Sequence, residues 1–163
     1  MRFFTFRQRL KREWVVGMDH LPKKKVAPEH HNYPSYGFIV RKIDSLLNRD
    51  DRIEAAYLLG SIVSGRMHPQ SDIDLAILPD PPKSFNTIDR MTLSAHLQDE
   101  LPYDFDIGIL GTHDVIFSTQ AILHGECIYF RDRFKKDLFA ATCLALYAEL
   151  KRQRIEVEHA YRI

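Results

Sequence analysis

Apolar residues along this chain recur at two periods, and the switches between them predict its elements. Ile39, Ile43, Leu46 and Leu47 follow helical spacing, which predicts a helix over 36–48 that Arg49-Asp50-Asp51 punctuate. The run IEAAYLL, from Ile53 to Leu59, predicts a short strand. A second apolar run, Asp72 to Leu78, predicts another strand, stopped by Pro79, Pro81 and Pro82. Between them lie Gly60-Ser61 and a polar connector with room for one helical turn from Ile62 to Gly65. Asn86 can cap a helix over 87–101 with Ile88, Met91, Ala95 and Leu101 on its buried side. Residues 103–110, YDFDIGIL, predict a third strand, and 112–123 a helix closing at Gly125 in a left-handed cap. A fourth strand is predicted over 126–130. From about Phe134 a long helix follows, with Phe139, Cys143, Leu146, Tyr147 and Leu150 as its inner stripe. Its charged end, KRQRIEVEHAYRI, should project from the core.

A chain of 163 residues, 45% of them hydrophobic, suffices for one such α/β core and not for two. Ahead of it, Phe3, Phe4 or Phe6, Leu10 and Trp14 fall along one helical face, and Pro22, Pro28 and Pro34 with Gly17 and Gly37 mark residues 17–37 as a linker. The expected organisation is therefore an arm and linker over 1–35 and a folded domain over 36–163. The net charge of +1 demands neither a nucleic acid nor a membrane. It conceals an uneven distribution, because residues 1–25 carry eight basic residues against Glu13 and Asp19. The arm is thus either a helix packed on its own domain or a surface for a partner, with nucleic acid the less favoured occupant. His30-His31 lacks a second ligand pair and reads as solvated loop. Cys127 and Cys143 show no metal-ligand spacing and read as small core residues of a reducing compartment. With no unbroken apolar stretch of membrane-spanning length, a soluble cytoplasmic protein is expected.

Chemistry concentrates around the second strand. Two carboxylates, Asp72 and Asp74, interrupt an apolar run, and a buried charge without a partner is too costly to keep. At positions i and i+2 of a strand they share a face, where their oxygens can converge on a hard cation such as Mg²⁺. A third carboxylate from the 103–110 strand, Asp104 or Asp106, would complete a set able to hold two metals about 3.5–4 Å apart for displacement at phosphorus. A glycine at a strand end lets backbone N–H groups approach an anion, and Ser61 adds a hydroxyl donor, so Gly60-Ser61 suits a phosphate cradle. Arg66 lies in the same connector and can add a cationic contact.

Gly60-Ser61, with Ser71-Asp72-Ile73-Asp74-Leu75 beginning ten residues after the serine, resembles the signature of the DNA polymerase β-type nucleotidyltransferase superfamily. The stretch AILHGECIYFRD, Ala121 to Asp132, is similar to the segment beyond the third aspartate in its minimal nucleotidyltransferases, and the likeness covers roughly 36–150. The resemblance implies a small mixed four-stranded sheet flanked by helices, with Asp72 and Asp74 binding two Mg²⁺ ions and a third aspartate binding the one that activates the acceptor hydroxyl. Phe105-Asp106-Ile107 and Tyr103-Asp104-Phe105 both have the required form, and the distance onward to Ala121–Leu123 favours Asp106. It further implies ATP as substrate, held by Gly60, Ser61 and Arg66. Many relatives carry Ala-Arg-Gly after the serine, whereas this chain has Val63-Ser64-Gly65 and then Arg66, so the arginine contact does not carry over by direct match.

Small members of the family resemble antitoxins of HEPN toxins, which transfer AMP to a toxin tyrosine. That reaction is the expected function, with a cognate HEPN toxin as partner. An aminoglycoside-type nucleotidyltransferase, which would need room for the drug in the charged tail, and an antitoxin that acts by binding alone are the alternatives. Arg154, His159 and Tyr161 have the form of the HEPN toxins' own R-x4-H-x-Y motif, but on one long helix rather than a bundle, which favours coincidence.

Overall fold

The computed structural model of the chain describes residues 34–68, 71–80 and 85–161. The amphipathic stretch over 1–16, the linker up to residue 33 and the His30-His31 pair lie outside the described residues. Helix α1 (Tyr36–Leu47) begins where the Ser35 hydroxyl accepts from the Phe38 N–H, and it buries Ile39, Ile43 and Leu47. Strand β1 (Ile53–Leu59) is buried along its whole length. Strand β2 (Ile73–Pro79) starts one residue later than expected, which leaves Asp72 just outside the sheet. Helix α2 (Thr87–Glu100) opens with a capping box in which Asn86 and Asp89 satisfy each other's backbone N–H groups. Strand β3 (Phe105–Ile109), a single 3₁₀ turn (Thr112–Asp114), helix α3 (Val115–His124), strand β4 (Glu126–Phe130) and helix α4 (Arg133–Ala160) complete the order.

The four strands form one mixed sheet in the order β3-β2-β1-β4. β1 runs antiparallel to both neighbours, while β2 and β3 are parallel and are joined through α2. α1 and α2 cover one face, packing Ile43, Leu93 and Leu97 against Leu58, Leu75 and Ile107. On the other face Phe117 and Ala121 of α3, with Phe139 of α4, meet Tyr57, Leu59, Ala76 and Leu78. A strand covered on both sides has no polar face, which is why β1 is apolar without alternation. Asp74 and Asp106 belong to the second face by alternation, at the end that α3 leaves open.

Four expectations about packing are corrected. In α2 the buried stripe is Leu93, Leu97 and the following Leu101, whereas Ile88 and Met91 are 73% and 68% exposed and Ala95 is exposed. Both stripes obey helical spacing, and the leucines present the longer continuous ridge to the sheet. In α4 only Cys143 is fully buried, and Leu146 and Leu150 are exposed. A helix of 28 residues is about 42 Å long, so it outruns the sheet and α3, and its charged end projects as expected. Cys127 is exposed, because β4 is an edge strand. Gly125 is extended (φ −84°) rather than left-handed. Its lack of a side chain is needed for another reason: a Cβ there would fall 2.4 Å from the Ala121 carbonyl oxygen and 2.6 Å from Leu59 Cδ2.

Two polar ties lock the layers together. Arg52, ahead of β1, donates to Asp50 at 2.7 Å and to Asp89 at 2.7 Å, linking the sheet to the start of α2. Its guanidinium bonds hold the Asp50 carboxyl below the usual carboxylate range. Glu54 is only 1% exposed; its Oε1 accepts from the Asp132 N–H at 2.7 Å, and Lys135 Nζ stands 3.6 Å from Oε2. Thus a buried carboxylate anchors the first turn of α4 to β1. Glu54→Ala is expected to lower unfolding free energy by about 2–4 kcal/mol through a cavity and an orphaned N–H, measured by chemical denaturation. Among the described residues, no helix is long and apolar enough to cross a membrane.

Candidate active site

The site is assembled where β1, β2 and β3 end or begin side by side. β1 closes at Leu59, which lies opposite Asp74 in the antiparallel register. The chain then turns at Gly60 with φ +71°, a conformation that favours glycine. A Cβ on Gly60 would sit 2.2 Å from Asp74 Oδ2, so the turn and the carboxylate are packed directly against each other. Beyond it, the Ser64 N–H bonds the Gly60 carbonyl at 3.2 Å and the Arg66 N–H bonds the Ser61 carbonyl at 2.9 Å. Residues 61–65 are therefore a compact coil of turns, ended by the left-handed Gly65 (φ +68°) and tied to the core by Ile62. Arg66 is exposed and its Nε donates to Ser64 Oγ at 3.2 Å, folding the guanidinium back on the turn.

Asp74 and Asp106 are direct partners in the parallel register of β2 and β3, half-buried and on one face. Neighbouring strands lie about 4.8 Å apart, close enough for the two carboxylates to share a hard cation, and ionised neighbours without one repel. Asp72 and Asp104 stand one step earlier and are exposed. They line a separate shallow hollow of about 450 Å³ with Ser71 and Gln98, and Gln98 Nε2 donates to the Asp104 carboxylate at 3.3 Å. The structure thus brings Asp74, Asp106 and Gly60 together and sets Asp72 at the border. Among the described residues, no three Asp, Glu, His or Cys side chains stand as a finished ligand set. The donor chemistry of the Asp74–Asp106 pair, oxygens only, fits Mg²⁺.

A cleft of about 310 Å³ opens beside this pair along the free edge of β3. Leu59, Asp74, Asp106, Gly108, Arg90, His113 and Phe117 line it. Gly108 is bare because a Cβ there would lie 2.3 Å from Phe117 Cζ, so the ring rests on the strand backbone. Arg90 comes from α2, and its Nε is buried with no hydrogen-bond partner. The chain alone did not point to Arg90, His113 or Phe117. The one signal was Gly108, a glycine inside an apolar strand and two residues from Asp106, which marks a close approach.

Residues 41–134 match the family model described as polymerase beta, nucleotidyltransferase. This chain belongs to that family. The matched span of this nucleotidyltransferase contains the turn, the carboxylates and the cleft, while most of α4 lies beyond it. It is 30% identical over 115 residues to the protein adenylyltransferase MntA of Shewanella oneidensis, covering 69% of this chain and 80% of that protein. A toxin–antitoxin crystal structure with AMP-PNP superposes with a TM-score of 0.63 at 26% identity, over 76% of this chain and 98% of that one. A complex of tri-AMPylated Shewanella oneidensis HEPN toxin with MNT antitoxin shares the fold, with a TM-score of 0.61 at 22% identity, over 79% of this chain and all of that one.

Proposed function

We propose that this nucleotidyltransferase is a protein adenylyltransferase that moves AMP from ATP to a tyrosine hydroxyl of a cognate HEPN toxin and thereby acts as its antitoxin. The observation that carries the reading is the Asp74–Asp106 pair with Gly60 packed on Asp74, in a chain 30% identical to a protein adenylyltransferase. Asp74 and Asp106, joined by a rotation of the exposed Asp72 side chain, would hold two Mg²⁺ ions. The chemistry such ions would supply there is neutralisation of phosphate charge and a lowered cost of ionising the acceptor hydroxyl. The Gly60-Ser61 turn offers backbone N–H groups and the Ser61 hydroxyl to the triphosphate. Arg66, on leaving Ser64, reaches the same anion. The acceptor oxygen gives up its proton to water and bonds to the α-phosphorus as the bond to the bridging oxygen of the β-phosphate breaks, and the electron pair of that bond leaves with pyrophosphate.

The test supplies α-labelled ATP, Mg²⁺ and the product of the neighbouring open reading frame. Label should appear on a tyrosine of that protein, and a double variant, Asp72→Asn with Asp74→Asn, should transfer none. A double variant that neutralises its partner as well as wild type would replace this reading with a binding-only antitoxin. Label on an aminoglycoside and never on protein would replace it with drug modification.

A further inference from the structure

Resting on that reading, we propose that the acceptor protein docks on the inner face of the projecting half of α4, at Leu150, Arg154 and Val157, with one of its helices lying along α4. α4 starts beside the first residues of β1, at the end of the sheet away from Gly60: Lys135 Nζ lies 2.8 Å from Asp80 Oδ1 and 3.6 Å from Glu54 Oε2. Midway, the Thr119 hydroxyl donates to the Cys143 carbonyl at 3.4 Å, so α4 rises alongside α3. α3 ends at Gly125, where a Cβ would meet Leu59, the last residue of β1 before the Gly60 turn. Both helices therefore run toward the catalytic end. His124 lies five residues past Thr119 and Ala160 seventeen past Cys143, so α4 outreaches α3 by about 18 Å. Every residue from Ala148 to Tyr161 is exposed.

The two sides of that projecting segment differ in chemistry. On the outer side Arg152 is paired with both Glu149 and Glu156, a network that suits a solvent-facing surface. Leu150, Arg154, Val157 and Tyr161 lie within about 40° of the direction of the buried Cys143. They continue the face with which Phe139 and Cys143 meet the sheet and α3. Here, past the end of α3, Leu150 is 43% and Val157 56% exposed. A helical segment of a few turns is marginal in water by itself, and packing of an apolar face is what ordinarily stabilises it.

A helix packed on this face stands about 8–10 Å from the axis of α4, on the side where the sheet lies lower down. It is therefore set above the ends of the strands, beside β1 and its neighbour β2, which carries Asp74. A tyrosine presented from there enters the site from the open ends of the strands, as a protein acceptor must. A second copy of this chain fits the face less well. Arg154 lies midway between Leu150 and Val157, so a two-fold axis through the stripe would set Arg154 against its own symmetry mate. An acceptor helix with a carboxylate between two aliphatic residues matches all three positions. Arg154 Nε donates to Glu158 at 2.8 Å, and a guanidinium has further donors for that carboxylate.

The experiment compares two substitutions that differ in direction. Val157 and Ile155 are both β-branched aliphatics, two residues apart and 56% and 54% exposed, but they point about 160° apart around the helix. With the full chain and the acceptor protein of the labelling test, calorimetric titration gives Kd and initial rates give KM. Val157→Glu should weaken binding and raise KM for the acceptor at least about tenfold, with KM for ATP and the melting temperature unchanged. Ile155→Glu should leave all of these near wild type. Equal effects of the two substitutions, no effect of either, or a change confined to KM for ATP would overturn the assignment. So would a wild type that dimerises alone and that Val157→Glu renders monomeric, because the face then belongs to a second copy. The parent reading fails separately: a wild type that binds the protein through Val157 but labels no tyrosine keeps the docking face and overturns the transfer.

Discussion

Asp106→Asn is expected to slow AMP transfer by roughly a thousandfold or more, while Asp104→Asn leaves the rate close to that of wild type. The two aspartates have the same local sequence form and alternate onto the same face, so beyond the distance onward to Ala121–Leu123 the tertiary setting is what separates them. Asp106 is the register partner of Asp74, half-buried and on the wall of the cleft. Asp104 precedes β3; its carbonyl accepts from the Ile73 N–H at 2.8 Å and its carboxylate is engaged by Gln98. If the pair shares cations as proposed, removing one of its charges removes binding that the neighbour alone cannot supply. Removing a charge from an exposed carboxylate hydrogen-bonded to an amide changes little. Initial rates at saturating ATP and Mg²⁺ distinguish the two. The reverse ranking would move the third carboxylate to Asp104 and the chemistry to the hollow it shares with Asp72.

The difficulty of telling Asp104 from Asp106 along the chain is representative of what local pattern conveys here. Strands such as Ile53–Leu59 were legible because burial on both faces writes itself as an uninterrupted apolar run. Asn86 was legible because capping is a local interaction between residues three apart. The packed face of α2 was legible at Leu101 alone, since Ile88-Met91-Ala95 and Leu93-Leu97 both satisfy a helical period and only the sheet beneath decides between them. The length of sheet available to α4 is likewise invisible in its own sequence, which is why Leu146 and Leu150 read as core and stand exposed. The carboxylates and the Gly-Ser turn announced themselves as exceptions to an apolar pattern. The cleft did not, because Arg90 sits among polar residues on a helix and acquires its position only by reaching around the sheet edge.

Gly60→Ala is expected to lower AMP transfer by at least about a hundredfold while costing only about 1–2 kcal/mol of stability. The two effects have separate causes. A side chain at φ +71° incurs the left-handed backbone penalty, which denaturation measures. Its Cβ would also fall 2.2 Å from Asp74 Oδ2, and no rotation of alanine relieves that contact, so the carboxylate must turn away from its place beside Asp106. Gly65→Ala supplies the control. Gly65 has φ +68° in the same turn but is exposed, so it should show a similar stability loss with a much smaller loss of transfer. If both variants lose activity in proportion to stability, the Gly60 turn matters only as a bend in the chain. A selective loss at Gly60 shows instead that the turn and Asp74 work as one unit, with the glycine retained because the carboxylate occupies the space a side chain would need.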